Sequence, residues 1–143
     1  MLTNSAKYAM KAVLFLALNT NENNKMMVKD IYERINVPQS YLAKLLQELS
    51  KHNIVSSSRG PKGGFYLDDK NKSIRLIKIV DIIDGEQRLR SCMLSLKECD
   101  NENPCALHRL VGDANSSFIK NLEETTIESL IADVRDGKSI LPL

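Results

Sequence analysis

The sequence predicts a mainly α fold with a small β-hairpin, and three observations lead there. Successive segments in the first third carry apolar side chains at helical spacing. A Gly- and Pro-rich basic turn, RGPKGG, separates two short runs of strand character, and the last third holds a near-heptad apolar stripe. The 143 residues suit one core with an appendage, and 43% apolar with 27% charged residues exclude a disordered or fibrous chain. The longest apolar run, Ala12 to Leu18, falls far short of the ~20 residues a bilayer span requires. With no secretion signal in MLTNSAKYAM, the expected location is the cytosol, where thiols stay reduced.

Asn4 or Ser5 is positioned to cap a first helix whose inward face is Tyr8, Ala9, Ala12, Val13, Leu16 and Ala17. The polar loop TNENNK follows, then a short helix, VKDIYERI, with Val28, Ile31, Tyr32 and Ile35 inward. Pro38 fits a first helical turn, so a third helix is expected from about Val37 to His52. Its stripe is Leu42, Leu45, Leu46 and Leu49, and its other face carries Gln39, Ser40, Tyr41 and Lys44. IVSSS and FYLDD read as strands flanking RGPKGG, which makes a hairpin with a basic tip. IRLIKIVDIID reads as a fourth helix that Gly85 ends. Asn103 and Pro104 read as the cap and first residue of a long helix carrying Leu107, Leu110, Val111, Ala114, Phe118 and Leu122. Gly112 and Ser116 on that helix permit close approach of another helix, and Thr125 or Thr126 caps a final short one, TIESLIADV.

Two short helices, a third that follows the second at once, and a basic-tipped hairpin are in winged helix-turn-helix order. The size of the DNA grooves gives that order a use: a helix end enters the major groove while a thin hairpin reaches the neighbouring minor groove. Gln39 and Ser40 offer hydrogen bonds to bases or phosphates, Tyr41 a flat face for backbone or thymine methyl, and Lys44 a phosphate contact. Arg59, with Gly60 and Lys62 in the turn, is the minor-groove probe. Charge is consistent with this: residues 1 to 75 hold twelve Lys and Arg against six Asp and Glu, whereas residues 76 to 143 hold eight against twelve.

All three cysteines and one of the two histidines lie within SCMLSLKECDNENPCALH. An odd number of cysteines argues against a disulfide framework and leaves metal ligation, redox chemistry or plain thiols. Structural zinc sites usually show close Cys pairs, and none is present here. A cysteine-dependent enzyme lacks support, since the sequence has no CxxC, no phosphate-cradling loop and no second histidine near the cysteines; no catalytic residue is assigned.

PQSYLAKLLQEL followed by VSSSRGPKGGFYL resembles the winged-helix regulators of the IscR and NsrR type, a superfamily that also includes CymR, and the likeness extends over essentially the whole chain. The resemblance implies a winged helix-turn-helix DNA-binding domain over residues 1–85, a cysteine-bearing cluster loop over 86–105, and a dimerisation helix with a short C-terminal helix over 106–143. It implies a homodimer on palindromic double-stranded promoter DNA and no membrane. Cys92, Cys99, Cys105 and His108 are similar in placement to the ligands of an iron-sulfur cluster in IscR-like members, although the first gap is one residue longer than is common there. The two-iron two-sulfur form is favoured and the four-iron form is the other candidate. NsrR-like members take a carboxylate from the first helix, where this chain has the cation Lys7, while Glu98, Asp100 and Glu102 are nearby oxygen donors. The implied function is a repressor that senses iron-sulfur, redox or nitric oxide status. The alternative is a cluster-free regulator of the same fold, controlled by a partner protein or by thiol oxidation.

Overall fold

The computed structural model describes residues 2–143 and contains eight helices and one two-stranded sheet among them. Helix α1 (Asn4–Asn19) is the centre of the core: Ala6, Ala9, Ala12, Val13, Phe15, Leu16 and Ala17 are buried, and its small residues let α3 (Gln39–Lys51), α5 (Leu76–Asp84) and α8 (Ile127–Arg135) approach closely. Its cap is Thr3 rather than Asn4 or Ser5. The Thr3 hydroxyl accepts the Ala6 amide at 3.1 Å and donates to the carboxylate of Asp84, so the cap also joins α1 to α5.

Helix α2 (Val28–Ile35) ends at Asn36, whose φ of 55° turns the chain into α3 (Gln39–Lys51). Pro38 stands at the N-cap of α3, just outside the helix and not in its first turn, and its carbonyl accepts the Leu42 amide. The stripe Leu42, Leu45, Leu46 and Leu49 is buried as expected.

The hairpin is shorter than expected. Strands β1 (Ser56–Ser58) and β2 (Gly64–Tyr66) pair antiparallel, with Ser57 opposite Phe65. Asp68 does not extend β2, because its side chain accepts the Asn71 amide at 2.8 Å and starts the short helix α4 (Asp69–Lys72). The buried Asn71 side chain accepts from Ser56 Oγ and donates to the Asn53 carbonyl, which fastens the base of the hairpin. A further backbone pair, Met26 with Phe65, lays the loop before α2 alongside β2. Gly64, at φ 147°, permits this contact, since a Cβ there would stand 2.7 Å from the Met26 carbonyl oxygen.

Helix α5 (Leu76–Asp84) stops at Gly85, and a four-residue helix, α6 (Gln87–Arg90), lies in a segment that reads as loop. Ile74 is outside α5, in a backbone bridge that joins Arg75 to Thr126. Helix α7 (His108–Glu124) and helix α8 (Ile127–Arg135) complete the chain. Of the two candidate caps Thr126 serves α8, and Ile127 and Ile131 are buried against the core, so α8 is an integral part of it. No helix among the described residues is long and apolar enough to cross a membrane.

Candidate cysteine-histidine centre and nucleic-acid interface

The cysteine segment starts from an anchored end. The Arg90 guanidinium donates to Asp81 of α5 at 3.0 Å, lies 3.6 Å from Glu123 of α7 and also donates to the Glu86 carbonyl. Asn115 of α7 donates to the Leu89 carbonyl at 2.8 Å, and Leu89 is buried. From there the chain doubles back on itself: Ser91 bridges Glu98, and the Cys92 amide donates to the Lys97 carbonyl. Met93, Leu94 and Leu96 stand exposed on this turn.

The expected start of the long helix is corrected by the structure. Asn103 does not cap it, because its backbone and side chain both donate to Asp100, and the helix opens at His108 with Leu107 at the cap. Cys105 therefore lies in the turn before α7, with its carbonyl accepting the His108 amide. The Asp100 carboxyl is held below its usual range by Asn103 and by the Glu102 and Asn103 amides.

Cys92, Cys99, Cys105 and His108 nevertheless meet around one cavity of about 150 Å³, with Asn101, Val111 and Gly112 in its wall. Cys99 Sγ and His108 Nδ1 share a hydrogen bond of 2.9 Å. The His108 ring lies back against Gly112: a Cβ at that position would be 3.2 Å from Nε2 and 3.3 Å from Cδ2 and Cε1. Gly112 is thus covered by a side chain of its own helix. The carboxylates of Glu98, Asp100 and Glu102 are absent from the cavity wall.

All three thiols are free. The Cys92 thiol is pulled below its ordinary value first by the Leu94 backbone amide, then by Cys105. The Cys99 thiol is pushed up, first by desolvation among its neighbours, although the residue is exposed overall, and then by the charges of Cys92 and Cys105.

Among the described residues no three His, Cys, Asp or Glu side chains form the compact group that holds a single metal ion. A sulfur-rich donor set around a shared cavity is the kind that iron-sulfur clusters take. Three thiols, one imidazole and the Gly112 cradle that leaves room for the ring are compatible with such a group.

The residues expected at DNA divide by exposure. Gln39, Ser40 and Lys44 are exposed at the start of α3, where Val28, Gln39, Ser40 and Ala43 line an open concavity. Tyr41 is half-buried. Its ring meets Tyr8 edge-on at 5.8 Å and its hydroxyl bonds to Ser5, so it locks α3 against α1. Arg59, Gly60 and Lys62 are exposed on the hairpin tip, with Gly60 at φ 100° accepting the Gly63 amide. Lys25, in the loop before α2, stands over the Tyr66 ring at 5.2 Å and adds a cation beside the hairpin.

The profile of the Rrf2 family, described as an iron-dependent transcriptional regulator, matches residues 2–133. The transcriptional regulator IscR of Klebsiella pneumoniae is 32% identical over 130 residues, which cover 91% of this chain and 78% of that one. The fold is that of CymR, the global cysteine regulator of B. subtilis, with a TM-score of 0.72 at 22% identity over 92% of this chain and 96% of that one. It is also that of T. potens IscR, with a TM-score of 0.70 at 20% identity over 97% and 91%.

Proposed function

The chain belongs to the Rrf2 family of transcriptional regulators, and from that premise we propose that it is a homodimeric repressor of palindromic promoter DNA. It senses iron-sulfur, redox or nitric oxide status through a two-iron two-sulfur cluster held by Cys92, Cys99, Cys105 and His108. The observation that carries this reading is the convergence of those four side chains on one cavity beside α7. When bound, such a cluster supplies a one-electron centre whose histidine ligand leaves it open to protonation or exchange.

The residues of the chain perform the rest. The backbone amides of Leu94 and Ser95 favour the thiolate of Cys92, the form that ligates metal. Arg90 and Asn115 hold the start of the cysteine loop to α5 and α7, so a change of order in that loop acts on both helices. α5 packs on α1 and α3, which gives the cysteine loop a route of contacts to the DNA-reading helix. Such a route regulates DNA affinity only if the cluster is held with different stability in the DNA-bound and free arrangements of the dimer. Gln39, Ser40 and Lys44 meet the major groove, Arg59, Gly60 and Lys62 the minor groove, and Tyr41 fixes the helix that carries the first three.

Anaerobic purification tests this reading. The expected product is coloured, with sulfide equal to iron, and shifts palindromic promoter DNA as a dimer. A colourless, zinc-containing product would overturn the cluster. A cluster-free, thiol-controlled regulator is the second reading, favoured by three free thiols, of which Cys92 is held below its ordinary value. It predicts that regulation survives loss of iron but not replacement of all three cysteines by alanine.

A further inference from the structure

The geometry assigns to Gly112 the task of letting the His108 ring lie flat on α7, so that Nδ1 is the nitrogen it offers to the cluster, turned towards the sulfur ligands. This rests on the proposed cluster and goes beyond it, since it names an atom and a residue that is not a ligand.

His108 is the first residue of α7, and Gly112 is one helical turn further on. At that separation a long side chain covers its neighbour, and the ring of His108 does so: three of its atoms lie at nearly equal distance, 3.2 to 3.3 Å, from the point where a Gly112 Cβ would be. Few real Cβ contacts are that close, so any side chain at 112 must move the ring by a few tenths of an ångström. Such equal distances place that point over the face of the ring, and in the ring plane Nδ1 is 2.9 Å from Cys99 Sγ, at the cavity. The ring is thus held by its face over a bare Cα and by Nδ1 at a sulfur. Glycine is a poor helix former, and its place in α7 conflicts with local propensity; such conflicts mark positions where function sets the residue.

The test uses the full chain carrying His52→Gln, which leaves His108 as its only histidine. The chain is loaded anaerobically and labelled with ¹⁵N at Nδ1 or at Nε2. Pulsed electron paramagnetic resonance of the reduced cluster should show strong ¹⁵N coupling for the Nδ1 label and only weak, remote coupling for the Nε2 label. In Gly112→Ala, with helicity and Tm unchanged or raised, the strong Nδ1 coupling should disappear or pass to Nε2. Strong Nε2 coupling in the parent, or unaltered Nδ1 coupling in Gly112→Ala, would overturn the assignment. Failure to assemble any cluster counts against the proposed function, and the assignment is then read in the cluster-free chain by nuclear Overhauser effects. Contacts from His108 Hδ2 and Hε1 to the Gly112 α-protons support the cradle, and their absence rejects it.

Discussion

His108 Nδ1 lies 2.9 Å from Cys99 Sγ, nine positions away in sequence, and this pair closes the cavity that Cys92 and Cys105 also line. No regular element joins these donors. The loop between them is organised by its own turns, at Asp100 and at the Ser91 to Glu98 bridge, and by the anchored residues on either side.

If this cavity holds the cluster, Cys92→Ala, Cys99→Ala and Cys105→Ala each lose the visible absorbance and bound iron of the anaerobic protein. The fold remains, because none of the three side chains is part of the buried core; unfolding free energy should stay within about 0.5 kcal/mol of the parent, as for surface substitutions generally. Iron analysis beside thermal unfolding separates the two effects.

Removal of the Arg59 side chain should cost about 1–3 kcal/mol of promoter binding and relax preference at the base steps it reaches. Lys44→Ala should weaken all sequences alike and lower the salt slope by about one, as expected for a phosphate contact. Tyr41→Phe differs from both. It loses the Ser5 bond, so about 1 kcal/mol of stability should go with a smaller change in DNA affinity. Salt-titrated binding isotherms on operator and random DNA distinguish the three patterns.

Arg90→Ala removes the partner of a mostly buried Asp81 carboxylate and a looser contact to Glu123. After allowance for its own partial exposure, the expected loss is about 1 kcal/mol. The consequence sits beyond the side chain: amide exchange at Ser91 and Cys92 should quicken relative to that of the α1 core. Equal protection in parent and variant would show that the anchor does not order the cysteine loop.

In the cluster-free, reduced chain, the thiol of Cys92 is lowered and that of Cys99 raised. A lowered thiol pKa places more of the reactive thiolate at a given pH, so as pH rises alkylation should begin at Cys92 and reach Cys99 later. Peptide mass spectrometry after brief iodoacetamide treatment at a series of pH values reads the order. Charge from the first thiolate delays the second, so Cys92→Ala should move alkylation of Cys99 to lower pH.

The sequence alone determined what local periodicity and turn chemistry can encode. The apolar faces of α1 and α3, the Gly and Pro turn at Arg59 to Gly64, the stop at Gly85 and a cap at Thr125 or Thr126 all depend on residues within a few positions of one another. The clustering of sulfur and imidazole was equally visible, as a pattern of spacing. Tertiary structure decided the rest, because competing local bonds and distant contacts set the outcome. Asp68 used its carboxylate to start α4 where alternation read as strand, and Asp100 drew Asn103 away from capping α7. Met26 found a strand partner far along the chain at Phe65. Tyr41 turned to Ser5 and Tyr8, which no helical wheel of α3 could show. Gly112, which in sequence is room for any neighbour, became the seat of one particular ring only when the backbone of α7 placed His108 over it.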